Sequence, residues 1–220
     1  VNFSCSLLHH FGAPITHKTI PEVDEALTGA KKVAVFLFDG SGQYNLSLYP
    51  RTTKFVRSHA LMTIHSVNPA TTVACTTAFL SAKFPVETGW LGWSLYFDEY
   101  KANIDVFPNR YSNNGEMVPD DNVMDKKCHY INLAEQLKAV GVKAKLMYQY
   151  PVNGEDGPKN FMEANQKAGD FFANGGQFLY GYFPEPDHSE HKYGVKSFHV
   201  RHKMAMFSRF LKKWTKEHPD

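Results

Sequence analysis

Two kinds of apolar pattern alternate along the chain. Continuous runs rich in β-branched and aromatic residues mark strands. The first, Val33 to Phe38, is six apolar residues in a row, stopped by Asp39 and closed by Gly40 and Gly42. Such a run reads as a strand buried on both faces, as in a parallel sheet. Ala60 to Val67 is apolar and β-prone enough for a second strand, and Lys143 to Tyr150 and Gln177 to Phe183 give two more. Between them the spacing turns helical. Phe207, Phe210, Leu211 and Trp214 fall at i, i+3, i+4 and i+7 within an amphipathic helix predicted over 195–216. Ile131, Leu133, Ala134, Leu137 and Val140 mark a helix over 130–140 that Gly141 stops, and Gly175-Gly176 ends another over 159–173. Pro21 to Leu27 begins with Pro at the first helical position and places Glu22, Asp24 and Glu25 in the first turn. Phe3 to Phe11 fits a short helix, 46–59 a helix interrupted near Pro50, and Ala70 to Ala82 a helix whose first turn holds Thr71 and Thr72.

Strands alternating with helices predict βαβ units and a mostly parallel sheet flanked by helices, an α/β class. We expect residues 1–220 to form a single α/β domain. From 84 to about 127 aromatic, Gly, Pro and Asn residues accumulate and periodicity fades, which predicts irregular loops or short hairpins inserted in it. A βα series would continue with another strand after the last helix, where this sequence stops.

Composition narrows the field. At 43% apolar and 21% charged, the chain has ordinary globular make-up, which excludes disordered and collagen-like classes. Twenty-four Lys and Arg against 22 Asp and Glu give a net charge of +2 without a long run of one sign, so no nucleic-acid polymer or membrane surface is expected as partner. No stretch approaches the roughly 20 apolar residues of a membrane span. Cys5, Cys75 and Cys128 are odd in number and widely spaced, so they suggest neither a disulfide framework nor a thiolate metal site.

Candidate chemistry gathers at strand ends and one helix start. Asp39 closes the first strand, where open α/β sheets place their ligands, although an Asp-Gly pair also suits a plain turn or cap. Past the last strand, Asp187-His188-Ser189-Glu190-His191 sets a carboxylate and an imidazole four residues apart, a donor pair suited to zinc and similar divalent ions. His188 reads as exposed rather than as a ligand. In Asn68-Pro69-Ala70-Thr71-Thr72 a hydroxyl stands in the first turn of a helix, where the dipole and unpaired N–H groups suit an activated nucleophile or a bound phosphate. Thr71 or Thr72 can equally be just the N-cap. A hydroxyl nucleophile needs its pKa lowered, and a metal supplies that.

Together these stretches resemble the alkaline phosphatase superfamily, specifically its type I phosphodiesterase/nucleotide pyrophosphatase branch. The resemblance is carried by Phe38-Asp39-Gly40, by Asn68-Pro-Ala-Thr-Thr-Val-Ala-Cys-Thr-Thr-Ala-Phe-Leu-Ser-Ala-Lys-Phe-Pro-Val-Glu-Thr-Gly89, and by Glu185-Pro-Asp-His-Ser-Glu-His-Lys-Tyr-Gly194. The last is close to the family's E-x-D-x-x-G-H-x-Y-G, with Glu190 in place of a Gly. In the family the nucleophile lies ten residues before the Gly of a Thr-Gly pair and a Pro follows three later. Here Ala82 and Pro85 occupy those positions, and both counts fall on Thr72.

The resemblance implies two divalent metal ions, zinc by analogy, with Asp39 and Thr72 at one and Asp187 and His191 at the other. It implies an α/β fold of alkaline-phosphatase type and hydrolysis of a small phosphoester substrate, by a phosphodiesterase or phosphatase, through a phospho-threonine intermediate. The family completes its metal pair with an Asp-His pair and a further His downstream. This sequence ends at His218-Pro219-Asp220 before them, so the chain is expected to be part of a longer enzyme and inactive alone. Nucleotide pyrophosphatases carry an Asn 21 residues after the nucleophile, where this chain has Trp93. That leaves the leaving group open and makes Trp93 a candidate substrate contact. The run Trp90, Trp93, Tyr96 and Phe97 suits a pocket lining or core packing equally. A sulfatase or phosphomutase of the same superfamily is the rival enzyme, but Thr72 does not suit a sulfatase and Cys75 sits three residues too late. The rival of a different class is a non-catalytic binding domain that keeps the fold without its metal pair.

Overall fold

Six strands occur among residues 1–149 and 157–218, which the computed structural model describes: β1 (Val33–Phe38), β2 (Ser94–Phe97), β3 (Ala102–Asp105), β4 (Arg110–Tyr111), β5 (Ala144–Tyr148) and β6 (Phe178–Phe183). They form a parallel sheet of order β1-β6-β5 and an antiparallel sheet of order β2-β3-β4. With helices flanking both, the fold is mixed α/β. The described chain divides into two compact units, Val1–Thr28 with Ile64–Gly141, and Gly29–Thr63 with Val142–Asp220.

The first unit packs the helices Asn2–His10, Thr72–Ser81 and Leu133–Ala139 on one another. Leu7, Leu8, Leu133 and Leu137 are almost wholly excluded from water there. Its antiparallel sheet occupies part of the stretch expected to be loops and hairpins, with Leu95 opposite Ile104 and Ile104 opposite Tyr111. Ile104, Val106, Trp90, Phe97, Val118, Val123 and Met124 close a core cluster with Val73. The aromatic run therefore divides. Trp90 and Phe97 are buried, and Trp90 Nε1 donates to Cys128 O at 2.7 Å, whereas Trp93 and Tyr96 are exposed.

In the second unit β6 is central, paired on both edges, and all six of its residues are buried. Its Leu179 and Phe183 pack with Ala34, Phe36 and Phe38 of β1 beneath the helices Phe161–Ala173 and Phe198–Glu217. Phe38 is stacked between Phe183, 5.1 Å away, and Phe207, 4.7 Å away, while Phe36 meets Trp214 edge-on at 5.1 Å. Burying each such ring contributes about 1.5–3 kcal/mol.

The helices predicted over 130–140, 159–173 and 195–216 begin two or three residues later than their periodicity predicts because capping residues set the start, while the one predicted over 46–59 is two short helices, Gln43–Leu48 and Lys54–Ser58. Asn160 accepts from the N–H groups of Met162 and Glu163, Ser197 accepts from Val200, and Asn132 and Glu135 form a reciprocal capping box. The predicted strand 60–67 is not one: these residues have no regular secondary structure, and Leu61, Met62 and Ile64 are exposed. Apolar, β-prone content is not enough without a neighbouring edge to pair with. Tyr150, the end of the predicted strand 143–150, lies outside the described residues. Cys5, Cys75 and Cys128 are free thiols, and no described helix is long and apolar enough to cross a membrane.

Candidate functional site

β1 and β6 run side by side, Phe38 paired with Phe183, and release their chains at the same end of the sheet. Two backbone bonds prolong the pairing beyond the strands. Asp39 N–H donates to Phe183 O at 2.9 Å, and Asp187 N–H donates to Asp39 O at 3.0 Å. Asp39 is thereby held beside the first turn of the helix Asp187–Tyr193. Both of its carboxylate oxygens accept hydrogen bonds, Oδ2 from Tyr182 Oη at 2.6 Å and Oδ1 from Gly40 N–H at 3.1 Å.

Gly40 is what allows the two segments to meet. It has φ of +77°, and a Cβ there would lie 2.8 Å from both Cα and N of Asp187 and 2.9 Å from Glu190 Oε2. The space a side chain would take is occupied by backbone. Gly40 O accepts from Nδ2 of Asn45 at 2.7 Å, and the same amide donates to Glu190 Oε1. Asn45 is buried, and its Oδ1 has no hydrogen-bond partner among the described residues.

This end of the sheet is rich in negative charge. Burial raises the pKa of Asp187, and the neighbouring charge of Asp39 raises it further against the opposing pull of His191 and His188. Glu190 is raised by burial and then by Asp187, with Asn45 and His191 partly offsetting this. Glu185 behaves differently. Burial is the largest single influence and acts upward, but hydrogen bonds from Ser189 and Lys203 and the charge of Lys203 together outweigh it and leave the pKa lowered. Ser189 Oγ donates to Glu185 Oε2 at 2.6 Å and Lys203 Nζ stands 3.1 Å from Oε1. Glu185 is thus paired within the fold, whereas Asp39, Asp187 and Glu190 oppose one another.

His191 lies one helical turn from Asp187, with Nε2 3.6 Å from Oδ1, and its side chain is 82% exposed. His188 is exposed, as its position in the motif suggested. Two carboxylates and an imidazole are a donor set that fits a divalent cation, and the mutual repulsion of the carboxylates is what such an ion would relieve. No three His, Cys, Asp or Glu side chains among the described residues stand grouped as a ready metal site. The exposed His191 would have to turn toward Asp39 and Asp187 to complete one.

Thr72 belongs to the first unit and opens the helix Thr72–Ser81. Thr71 is the N-cap, its Oγ1 accepting from Ala74 N–H at 3.4 Å, so the capping role falls on Thr71 rather than Thr72. Thr72 is half-buried at the first helical position, and its carbonyl accepts from Thr76 Oγ1 at 2.6 Å. Trp93, also in the first unit, is 47% exposed with its ring edge-on to Phe107.

The chain matches no protein-family model, and no curated protein matches it. The geometry of the residues is therefore what bears on function. The sequence nominated Asp39, Asp187 and His191 and gave no role to Tyr182, Asn45 or Glu190, whose side chains the structure places around Asp39 and Gly40. For Tyr182 the alternation along β6 was a usable signal, since it lies opposite Leu37, on the sheet face away from Phe183. Glu190 follows Asp187 at helical i+3 spacing. Asn45 had no local signal, because its partner is 145 positions away.

Proposed function

We propose that this chain belongs to a metal-dependent phosphoester hydrolase of alkaline-phosphatase type. The observation that supports it is the juncture of β1 and β6, where Asp39 and the Asp187–His191 turn are tied together at the carboxyl end of a parallel sheet. Asp39, Asp187 and His191 would hold divalent metal, with zinc the ion the donor set suits. A bound cation there would stabilise charge on a phosphoryl group and favour an ionised nucleophile.

Thr72 is assigned the nucleophile by the resemblance of its surrounding sequence, and its place at a helix start supports the role. Its Oγ1 forms a bond to phosphorus as the bond from phosphorus to the leaving oxygen breaks, and the Oγ1 proton passes to solvent. Water then cleaves the phospho-threonine and restores the hydroxyl. Tyr182 and Gly40 N–H orient the Asp39 carboxylate through both of its oxygens. Trp93 is a candidate contact for the leaving group through its exposed ring.

The test pairs metal content with hydrolysis of bis-p-nitrophenyl phosphate and p-nitrophenyl phosphate, on this chain and on one extended to its natural C-terminus. Bound zinc with turnover, lost in Thr72→Ala while zinc is retained, is the expected result. Neither zinc nor turnover in either protein would overturn the proposal and favour a non-catalytic binding domain.

A further inference from the structure

A cavity of about 480 Å³ in the second unit, separate from the residues of the proposed hydrolase, is lined by Leu48, Tyr49, Pro50, Arg51 and Thr52 from one segment and by Lys196, Ser197, Phe198 and Arg201 from another. Its charge is of one sign. Arg51, Lys196 and Arg201 face it, none of them has an ion-pair partner among the described residues, and no Asp or Glu lines it. Glu190 is near enough for its charge to act on Tyr49, but its Oε1 is engaged by Asn45. Three cations gathered without a counter-charge repel one another, so an anion placed among them gains from all three.

The walls are braced rather than loose. Tyr49 Oη donates to Val195 O at 2.6 Å and to Ser197 O at 3.3 Å, which ties the two lining segments together. Thr52 Oγ1 donates to Tyr49 O at 3.0 Å. Ser197 caps the 20-residue helix Phe198–Glu217, whose first turn adds its positive end to the same field. At the rim Phe198 is 74% exposed, an apolar ring beside the cationic side chains. The volume lies within the range of small-molecule sites and exceeds what a lone phosphate fills.

We propose that this cavity binds a phosphorylated organic molecule, its phosphate held by Arg51, Lys196 and Arg201 and its ring or apolar part laid against Phe198. Two guanidinium groups suit a phosphate because each presents paired N–H donors that match two of its oxygens.

The experiment is calorimetric titration of the metal-free full chain with adenosine 5′-monophosphate, inorganic phosphate and adenosine. The nucleotide and phosphate are expected to bind and adenosine not to, with affinity falling as salt rises. Arg51→Gln and Arg201→Gln should each weaken nucleotide binding about tenfold or more. Lys196→Gln should act in the same direction, and circular dichroism confirms that each variant folds. Phe198→Ala should weaken nucleotide and leave phosphate unchanged, whereas Lys138→Gln, which removes an exposed cation of the first unit, should alter neither. Undiminished nucleotide binding in Arg51→Gln and Arg201→Gln would overturn the proposal, as would absence of binding in the wild type. An equal loss in Lys138→Gln would mean non-specific attraction to surface cations and would also overturn the proposal, and an unaffected Phe198→Ala would remove the apolar half of the site.

Discussion

Replacing Gly40 by Ala tests the meeting of β1 and β6 most directly. An L residue held at φ near +77° costs about 1–2 kcal/mol in backbone strain. The new methyl would also stand 2.8 Å from Asp187 Cα and N, atoms that cannot swing aside as a side-chain tip can. Forcing an extra methyl into such a packed position costs a further ~1–3 kcal/mol. Gly175 is the matched control, with φ of +81° and nothing within 4 Å of an added Cβ. Gly175→Ala carries the strain without the clash, and any gain from stiffening the unfolded chain is common to both. We expect Gly40→Ala to be the more destabilising by about 2 kcal/mol. Urea unfolding reads this in a Trp90→Phe/Trp93→Phe background. Of the three Trp residues only Trp214 then remains, 9% exposed in the core of the unit that holds both glycines. Equal costs, within about 0.5 kcal/mol, would mean that Asp187 does not press on Gly40 and would refute the reasoning.

Other expectations follow from single residues. Thr71→Ala should lower the stability of the first unit by about 0.5–1 kcal/mol, the smaller end of the N-cap range given its long bond, while leaving intact the turnover proposed for the hydrolase. Thr72→Ala should abolish that turnover with helicity retained, as stopped assays and circular dichroism would report. The raised pKa of Asp187 means the folded state favours its protonated form, so its contribution is greatest in acid and is lost as pH rises through the raised value. Metal-free Asp187→Asn should therefore melt above wild type near neutral pH and converge with it in acid; a constant gap across pH would contradict this. Lys203→Met should show the opposite dependence. The lowered pKa of Glu185 stabilises above the ordinary carboxylate range and is lost in acid, so the damage of removing Lys203 should be greatest at neutral pH. Phe183→Ala, in a position with no exposure, should cost about 3–5 kcal/mol by chemical denaturation.

Much of the local structure was legible from residue pattern. Pro21–Leu27 forms as predicted because Pro is harmless at a first helical position and acids suit that turn. Asp39 and Asp187 were legible for a related reason: polar residues that end or closely follow apolar strands stand at the end of the sheet whatever the rest of the fold. The antiparallel strands β2, β3 and β4 were far less legible. Leu95, Ile104 and Tyr111 are one short cross-strand set whose pairing comes from closing a hairpin, not from any long periodic run.

By itself the sequence determined that β1 and β6 are strands and that a helix begins at Pro21. The burial it predicted on both faces of β1 is not found: β1 lies at the edge of the described sheet with only Val33 buried and its other five residues half-buried, whereas β6, paired on both sides, is buried throughout. Tertiary structure alone decided that 60–67 joins no strand among the described residues, because a strand exists only through a partner's backbone hydrogen bonds. It also decided that Asn45 reaches Glu190 across 145 positions and that Gly40 must lack a side chain to let Asp187 approach. The mutual repulsion of the like charges on Asp39, Asp187 and Glu190 arises in the same way. Electrostatic coupling depends on distance through space, and distance along the chain does not encode it.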